Sequence, residues 1–267
     1  MIAFVRAGAL AMVATVAANV VPMPAFAQPT PGEYRCGAGN AKTFERFILR
    51  KSKCVQRCVT HARRSSQLYG DCFAPFGGST ASCIFDPVTG AEARARASIV
   101  RACTDGCPAC YNPTICTTGE PFVGNVEVQL DVLANTFVYC VEGAGATSSP
   151  AEAACEDTVS RAVSDFGAAR IRCYARCFAS IYARSCPTCT TGQQPVGVCN
   201  PPVSDPRTAA CIARAEAKAT ALIDASCSAV GANPTCYVNN GFGTGAAWVG
   251  FMAAALDGQV LNVSCGL

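Results

Sequence analysis

Two Cys-Pro-x-Cys tetrapeptides, Cys107-Pro108-Ala109-Cys110 and Cys186-Pro187-Thr188-Cys189, have the form used for thiol–disulfide exchange, where a helix N-terminus lowers the pKa of the first thiol. That chemistry needs a strand before the motif and a helix after it. Here each motif follows a helical segment, and Cys110 runs into the turn sequence Tyr111-Asn112-Pro113. The surroundings therefore favour structural bridges, with Cys107 and Cys110 as the redox pair of an alternative reading. Cys103, Cys107, Cys110 and Cys116 also crowd into fourteen residues. A structural zinc site shows two Cys or Cys/His pairs separated by a longer span, and only one Cys-x-x-Cys pair is present. Tyr111 stands where a c-type haem motif needs histidine. No metal or other cofactor is expected.

Hydrolysis has little to build on, because His61 is the single histidine of the chain and a catalytic imidazole needs an orienting carboxylate and a nucleophile. No enzymatic role is expected. His61 instead shares a helix face with basic residues. At 100° per residue Arg46, Arg50, Lys53, Arg57, His61 and Arg64 fall within about 80° of one another along about 27 Å of helix, opposite a Phe and Val face. Across residues 38–66 the only acid is Glu45. Such a stripe is ordinarily a solvated face. Its functional reading is a contact with an anionic polymer, a membrane surface or an acidic protein partner. Aromatic residues are not interleaved with the cations, so a stacking platform for nucleic acid has no support.

The elements that position these residues belong to an exported, oxidised chain. Residues 1–27 read as a signal peptide: Arg6, the apolar run Ala7 to Val21, and Ala25-Phe26-Ala27 as the cleavage site. That apolar run, and the later Ala246 to Leu256, are both too short to span a bilayer. About 240 residues remain, enough for one large or two small domains. The whole chain holds 20 cysteines, an even number that in this context implies a disulfide framework. A secreted or periplasmic location follows. The formal net charge of +3 singles out no partner.

The cysteines fall into two sets of ten. Cys36 precedes Cys54, and Cys155 precedes Cys173, by eighteen residues, and a Cys-x-x-x-Cys follows in each case, Cys54 with Cys58 and Cys173 with Cys177. Asp86-Pro87 matches Asp205-Pro206, Asn112-Pro113-Thr114 matches Asn233-Pro234-Thr235, and Phe122-Val123-Gly124 matches Trp248-Val249-Gly250. Leu130-Asp131 and Leu256-Asp257 continue the series. An internal duplication is expected. It divides the chain into a flexible lead at 28–35, a first unit at 36–141, a linker at 142–151 and a second unit at 152–267, each unit owning its staples.

Eight positions correspond between units: Cys36, Cys54, Cys58, Cys72, Cys83, Cys103, Cys116 and Cys140 with Cys155, Cys173, Cys177, either Cys186 or Cys189, Cys199, Cys227, Cys236 and Cys265. If shared positions pair alike, the leftovers pair together, Cys107 with Cys110 and Cys211 with Cys186 or Cys189. Spacing does not dictate connectivity among the eight. An antiparallel pairing of the first two helices would bring Cys54 to Cys103 and Cys173 to Cys227.

Apolar residues at threes and fours predict a long first helix in each unit, through Phe44, Phe47, Ile48, Val55 and Val59, and through Val159, Val163, Phe166 and Phe178. A second helix is expected to start at each Asp-Pro, and a third to cover Phe122 to Ala134 and Ala246 to Gln259. The alternation Val126, Val128, Leu130, Val132 would also suit a strand, and Phe137 to Cys140 an extended tail. The run Cys211-Ile-Ala-Arg-Ala-Glu-Ala-Lys-Ala, together with the paired Cys-x-x-x-Cys helices, resembles uncharacterised exported Cys-rich, Ala- and Lys-rich helical repeat proteins of environmental bacteria. The resemblance implies an all-helical fold and brings no site residue with it. The expected architecture is all-α, two tandem disulfide-rich units of about three helices each.

Overall fold

The computed structural model describes residues 30–65, 69–131, 137–140, 149–182, 196–229 and 231–264. These are mostly helical, with no strand among them. The longest helices are α1 (Pro31–Ser65) and α6 (Pro150–Tyr182). Between them lie α2 (Gly78–Phe85), α3 (Ala91–Ala102), α4 (Pro113–Thr118) and α5 (Phe122–Gln129); after them come α7 (Val196–Cys199), α8 (Pro206–Cys227), α9 (Thr235–Asn239) and α10 (Gly245–Ser264). The short helices α2, α4, α7 and α9 have too few turns to show a helical period in sequence.

Both long helices begin with the same device. The Thr30 amide donates to the Glu33 carboxylate while the Glu33 amide donates to Thr30 Oγ1, and Ser149 and Glu152 repeat the exchange. Each is a capping box with proline in the first turn, which satisfies helix-end amides. This corrects two expected boundaries: the lead from Pro31 and the linker from Pro150 are already helix.

The Asp-Pro pairs behave differently from one another. Asp205 caps α8, accepting from the Thr208 amide at 2.7 Å. Asp86 instead accepts from the Val88 and Thr89 amides, closing a separate turn, so that α3 starts only after Gly90. The first 131 residues therefore hold the shorter second helix. Residues 126–129 are helical rather than strand, and Phe137 to Cys140 forms a turn, not an extended tail, with Cys140 at φ 53°.

The main apolar core draws on both long helices, and a second, small cluster joins Cys173 and Tyr174 of α6 to Ile212 of α8. Phe44, Phe47, Ile48, Val55 and Val59 from α1 join Val159, Val163 and Phe166 from α6, with Ile99, Val123, Ile223, Trp248 and Leu256 from the helices around them. Helix α3 packs on α1, α8 on α6, and α1 on α6, while α10 touches α1, α5, α6 and α8. Each buried Phe or Ile here is worth about 1.5–3 kcal/mol. Gly32 and Gly39 let the α1 start close on the α3 end, because a Cβ at either would overlap the Asp105 carbonyl or the Ala102 side chain.

The bridges correct the expected pairing. Cys36 bonds Cys103 and Cys155 bonds Cys227, so neither Cys54–Cys103 nor Cys173–Cys227 forms. Helix geometry gives the reason. Cys54 lies eighteen residues past Cys36, about 27 Å along α1, and the end of the antiparallel α3 reaches only the α1 start. Cys54 pairs with Cys83 of α2, and Cys58 with Cys72. The longer α8 extends far enough for its own Cys211 to meet Cys173, so Cys211 does not bond Cys186 or Cys189; Cys177 bonds Cys199. Cys107 bonds Cys116 rather than Cys110, because α4, capped by Asn112, folds back over the preceding loop. Cys110 is also disulfide-bonded. Cys186, Cys189 and Cys265 lie outside the described residues.

Cys140 bonds Cys236, ninety-six residues away. Chain segments on either side of the 142–151 stretch thus share both a core and a bridge, and the staples are not confined within separate units.

Candidate functional site

Helices α1 and α6 leave a groove between them of about 370 Å³. Lys53, Arg57, His61 and Arg64 line it from α1, Asp157 and Arg161 from α6, and Gln56 and Thr60 complete it. The basic residues of α1 recur at steps of four, four and three residues because the apolar face of that helix is turned to the core, leaving the opposite face in solvent. All four Lys and Arg side chains are exposed, and no salt bridge joins any of them to another described residue.

The acid that lines the groove is already matched. Asp157 accepts from Arg63 Nη1 at 2.7 Å, and Arg63 also pairs with the buried Glu156 while facing the rings of Tyr69 and Tyr139. Glu45 is taken by Arg172 of α6. The groove consequently carries an uncompensated positive field, concentrated by its walls. Its neutral groups are partly engaged: Gln56 Nε2 donates to Ser160 Oγ at 3.0 Å, and Thr60 Oγ1 donates to the Gln56 carbonyl at 2.8 Å.

Of the stripe expected from sequence, Lys53, Arg57, His61 and Arg64 come together here. Arg46 and Arg50 are exposed on earlier turns of α1 and do not line the groove. Arg161, Gln56 and Thr60 were not singled out by sequence reasoning. Arg161 joins only because α6 lies against α1, and neither helix carries a local signal of that docking.

The cysteine candidates resolve into bridges. Cys107, bonded to Cys116, lacks the intramotif disulfide that exchange through Cys107 and Cys110 requires. The sulfurs of Cys36, Cys103 and Cys116 lie within 4.8 Å of one another, but each is in a disulfide and none is the thiolate a metal would bind.

A second charged cluster is buried on the other side of α1. Lys51, fully enclosed, contacts Glu127 at 2.6 Å and Asp131 at 2.8 Å. Arg96 bridges Glu92 at 2.7 Å and Glu120 at 2.6 Å. Burial, then a hydrogen bond with Glu127 and its charge, push the Glu92 carboxyl up to about 7 against the opposing pull of Arg96. Burial also works to raise Glu127, but hydrogen bonds from Glu92 and Lys51 outweigh it and hold that carboxylate below its usual range. The folded protein therefore keeps a proton on Glu92 that the unfolded chain releases near its ordinary 4.5. The stability this contributes is complete below that value and is lost as pH rises towards about 7. The melting temperature is expected to fall between about pH 5 and 8, and Glu92→Gln, which keeps a donor towards Glu127, is expected to flatten most of that fall. An unchanged slope in the variant would assign the pH dependence elsewhere.

Comparison of the chain with protein-family models, with curated proteins and with solved structures returned no match to any of the three.

Proposed function

We propose that this is an exported, disulfide-stabilised binding protein, built from two tandem helical units, that engages anionic ligands through the groove between α1 and α6. The observation that carries the reading is the convergence of Lys53, Arg57, Arg64 and Arg161 on one concavity whose only acid is paired with Arg63. Three further points support it. The bridges are suited to an oxidising compartment. Among the described residues no helix is long and apolar enough to cross a membrane. Cys36–Cys103, Cys54–Cys83 and Cys58–Cys72 run parallel to Cys155–Cys227, Cys173–Cys211 and Cys177–Cys199, as a duplicated unit would, once Cys72 is matched to Cys199 and Cys83 to Cys211 in place of the correspondence expected from sequence. Binding is favoured over catalysis because His61 borders cations, and the one carboxylate of the groove is held by Arg63.

Retention on an anionic matrix is the direct test. Elution is expected to move to lower salt when Lys53 and Arg57 are both changed to Glu, with apparent affinity down by about tenfold, a factor worth about 1.4 kcal/mol. Arg46→Glu, outside the groove, is expected to change elution less. Salt-independent retention, or equal effects of groove and non-groove reversals, would reduce the stripe to solvated surface.

A further inference from the structure

We propose that the occupant of the groove is a linear acidic polysaccharide, its sulfate or carboxylate groups following the cations of α1 and its hydroxyls meeting Gln56 and Thr60. The inference rests on the anion-binding reading above and narrows it to one ligand class.

The spacing of charge points to a polymer. From Lys53 to Arg64 the helix rises about 16 Å, so the cations are laid out along a line rather than gathered about one point. A single phosphate or sulfate would meet one or two of them. Arg161 faces this line from α6, which makes the positive surface two-walled. A flat bilayer surface would rest on the walls and leave the floor unfilled, whereas a single extended chain fits between them.

The floor separates saccharides from other polyanions. Thr60 Oγ1 spends its proton on the Gln56 carbonyl, so towards the groove it offers lone pairs only. At Thr60 a polyphosphate chain, all acceptor, finds no donor. A sugar hydroxyl does what the site asks, donating to Thr60 Oγ1. The Gln56 amide, with one N–H committed to Ser160, keeps a second N–H and its carbonyl oxygen for further hydroxyls. No aromatic side chain lines the groove, so nothing there stacks on nucleic-acid bases.

The test titrates the oxidised mature protein with four probes of matched charge: a sulfated oligosaccharide, a uronic-acid oligosaccharide, inorganic polyphosphate and vesicles containing anionic phospholipid. At least one oligosaccharide is expected to bind more tightly than polyphosphate or vesicles. Arg57→Glu with Arg161→Glu is expected to weaken that binding at least about tenfold. Thr60→Val, isosteric and without the hydroxyl, is expected to weaken saccharide binding several-fold and to leave polyphosphate binding unchanged. Circular dichroism of each variant, matching the parent, keeps the comparison to folded protein. If polyphosphate or vesicles bind as tightly as both saccharides, or Thr60→Val is without effect on saccharide, the polysaccharide assignment falls and the anion-binding groove stands. If none of the four binds, both fall.

Discussion

Replacing Lys51 with methionine is expected to lower the free energy of unfolding by about 3–5 kcal/mol, read as a drop in the urea midpoint of the oxidised protein at unchanged slope. Methionine fills much of the same space, so the loss is electrostatic rather than a cavity. The ammonium is fully enclosed and holds Glu127 at 2.6 Å and Asp131 at 2.8 Å, carboxylates whose side chains are only 19% and 17% exposed. Removing the cation leaves two negative charges together in a poorly solvated site, with Glu127 still tied to Glu92. Neutralising both acids as well, in Lys51→Met with Glu127→Gln and Asp131→Asn, is expected to recover part of the loss, because what the single variant costs is mainly the orphaned charge. Arg170 is the comparison. It is buried and pairs with Glu216 at 2.9 Å and Asp257 at 2.6 Å, and Asp257 also accepts from the Tyr174 hydroxyl. Those acids are 40% and 31% exposed, so water can rehydrate them and Arg170→Met is expected to cost less. A loss under about 1 kcal/mol at Lys51 would mean that the pair is solvated and contributes as surface ion pairs do.

That cluster shows how far the sequence is legible. The long α1 and α6 follow from their apolar threes and fours, and Cys54 with Cys58, or Cys173 with Cys177, lie on one face as four-residue spacing requires. Asp131 and Asp257 stand out as matching positions, but not what they hold. Lys51 reads as one more cation in a basic run, although its neighbours Phe47, Ile48, Cys54 and Val55 place it on the buried face. Its counterpart Arg170 is offset by 119 residues, the same offset that relates Cys36 to Cys155 and Thr30 to Ser149, and a residue-by-residue comparison at that offset finds the two buried cations and the capping boxes, whereas Asp131 and Asp257 are 126 residues apart. The bridges were less accessible for a physical reason. Which cysteine of α1 or α6 meets which partner depends on how many turns the facing helix has, and α3 and α8 differ by ten residues. The groove divides in the same way. Its α1 side is a helical-wheel pattern, whereas Arg161 reaches it through a helix–helix packing that no local pattern encodes.

Loss of the bridge between Cys140 and Cys236, in a double Cys→Ala variant that leaves no unpaired thiol to shuffle, is the second large effect. Taken alone the loop spans ninety-six residues, but the nested Cys155–Cys227 bridge short-circuits it. The chain path that remains is fifteen residues from Cys140 to Cys155 and nine from Cys227 to Cys236, a loop of about 25 residues. Loop-closure entropy for that length is about 3.5 kcal/mol, against about 4.7 for a hundred-residue loop. The variant is therefore expected to lose about 3.5 kcal/mol in urea while Cys155–Cys227 is intact, and the two bridges are expected to be non-additive, since removing the inner one lengthens the outer. Folding is not expected to be abolished, because the Tyr237 hydroxyl donates to the buried Val138 carbonyl at 2.5 Å and Trp248 packs edge-on against the same ring. Those contacts hold the turn at Phe137 to Cys140 against α9 without the sulfurs. A loss below about 1 kcal/mol would show that the shared core alone joins the two halves, and strict additivity with Cys155–Cys227 would show that the bridges do not constrain one common loop.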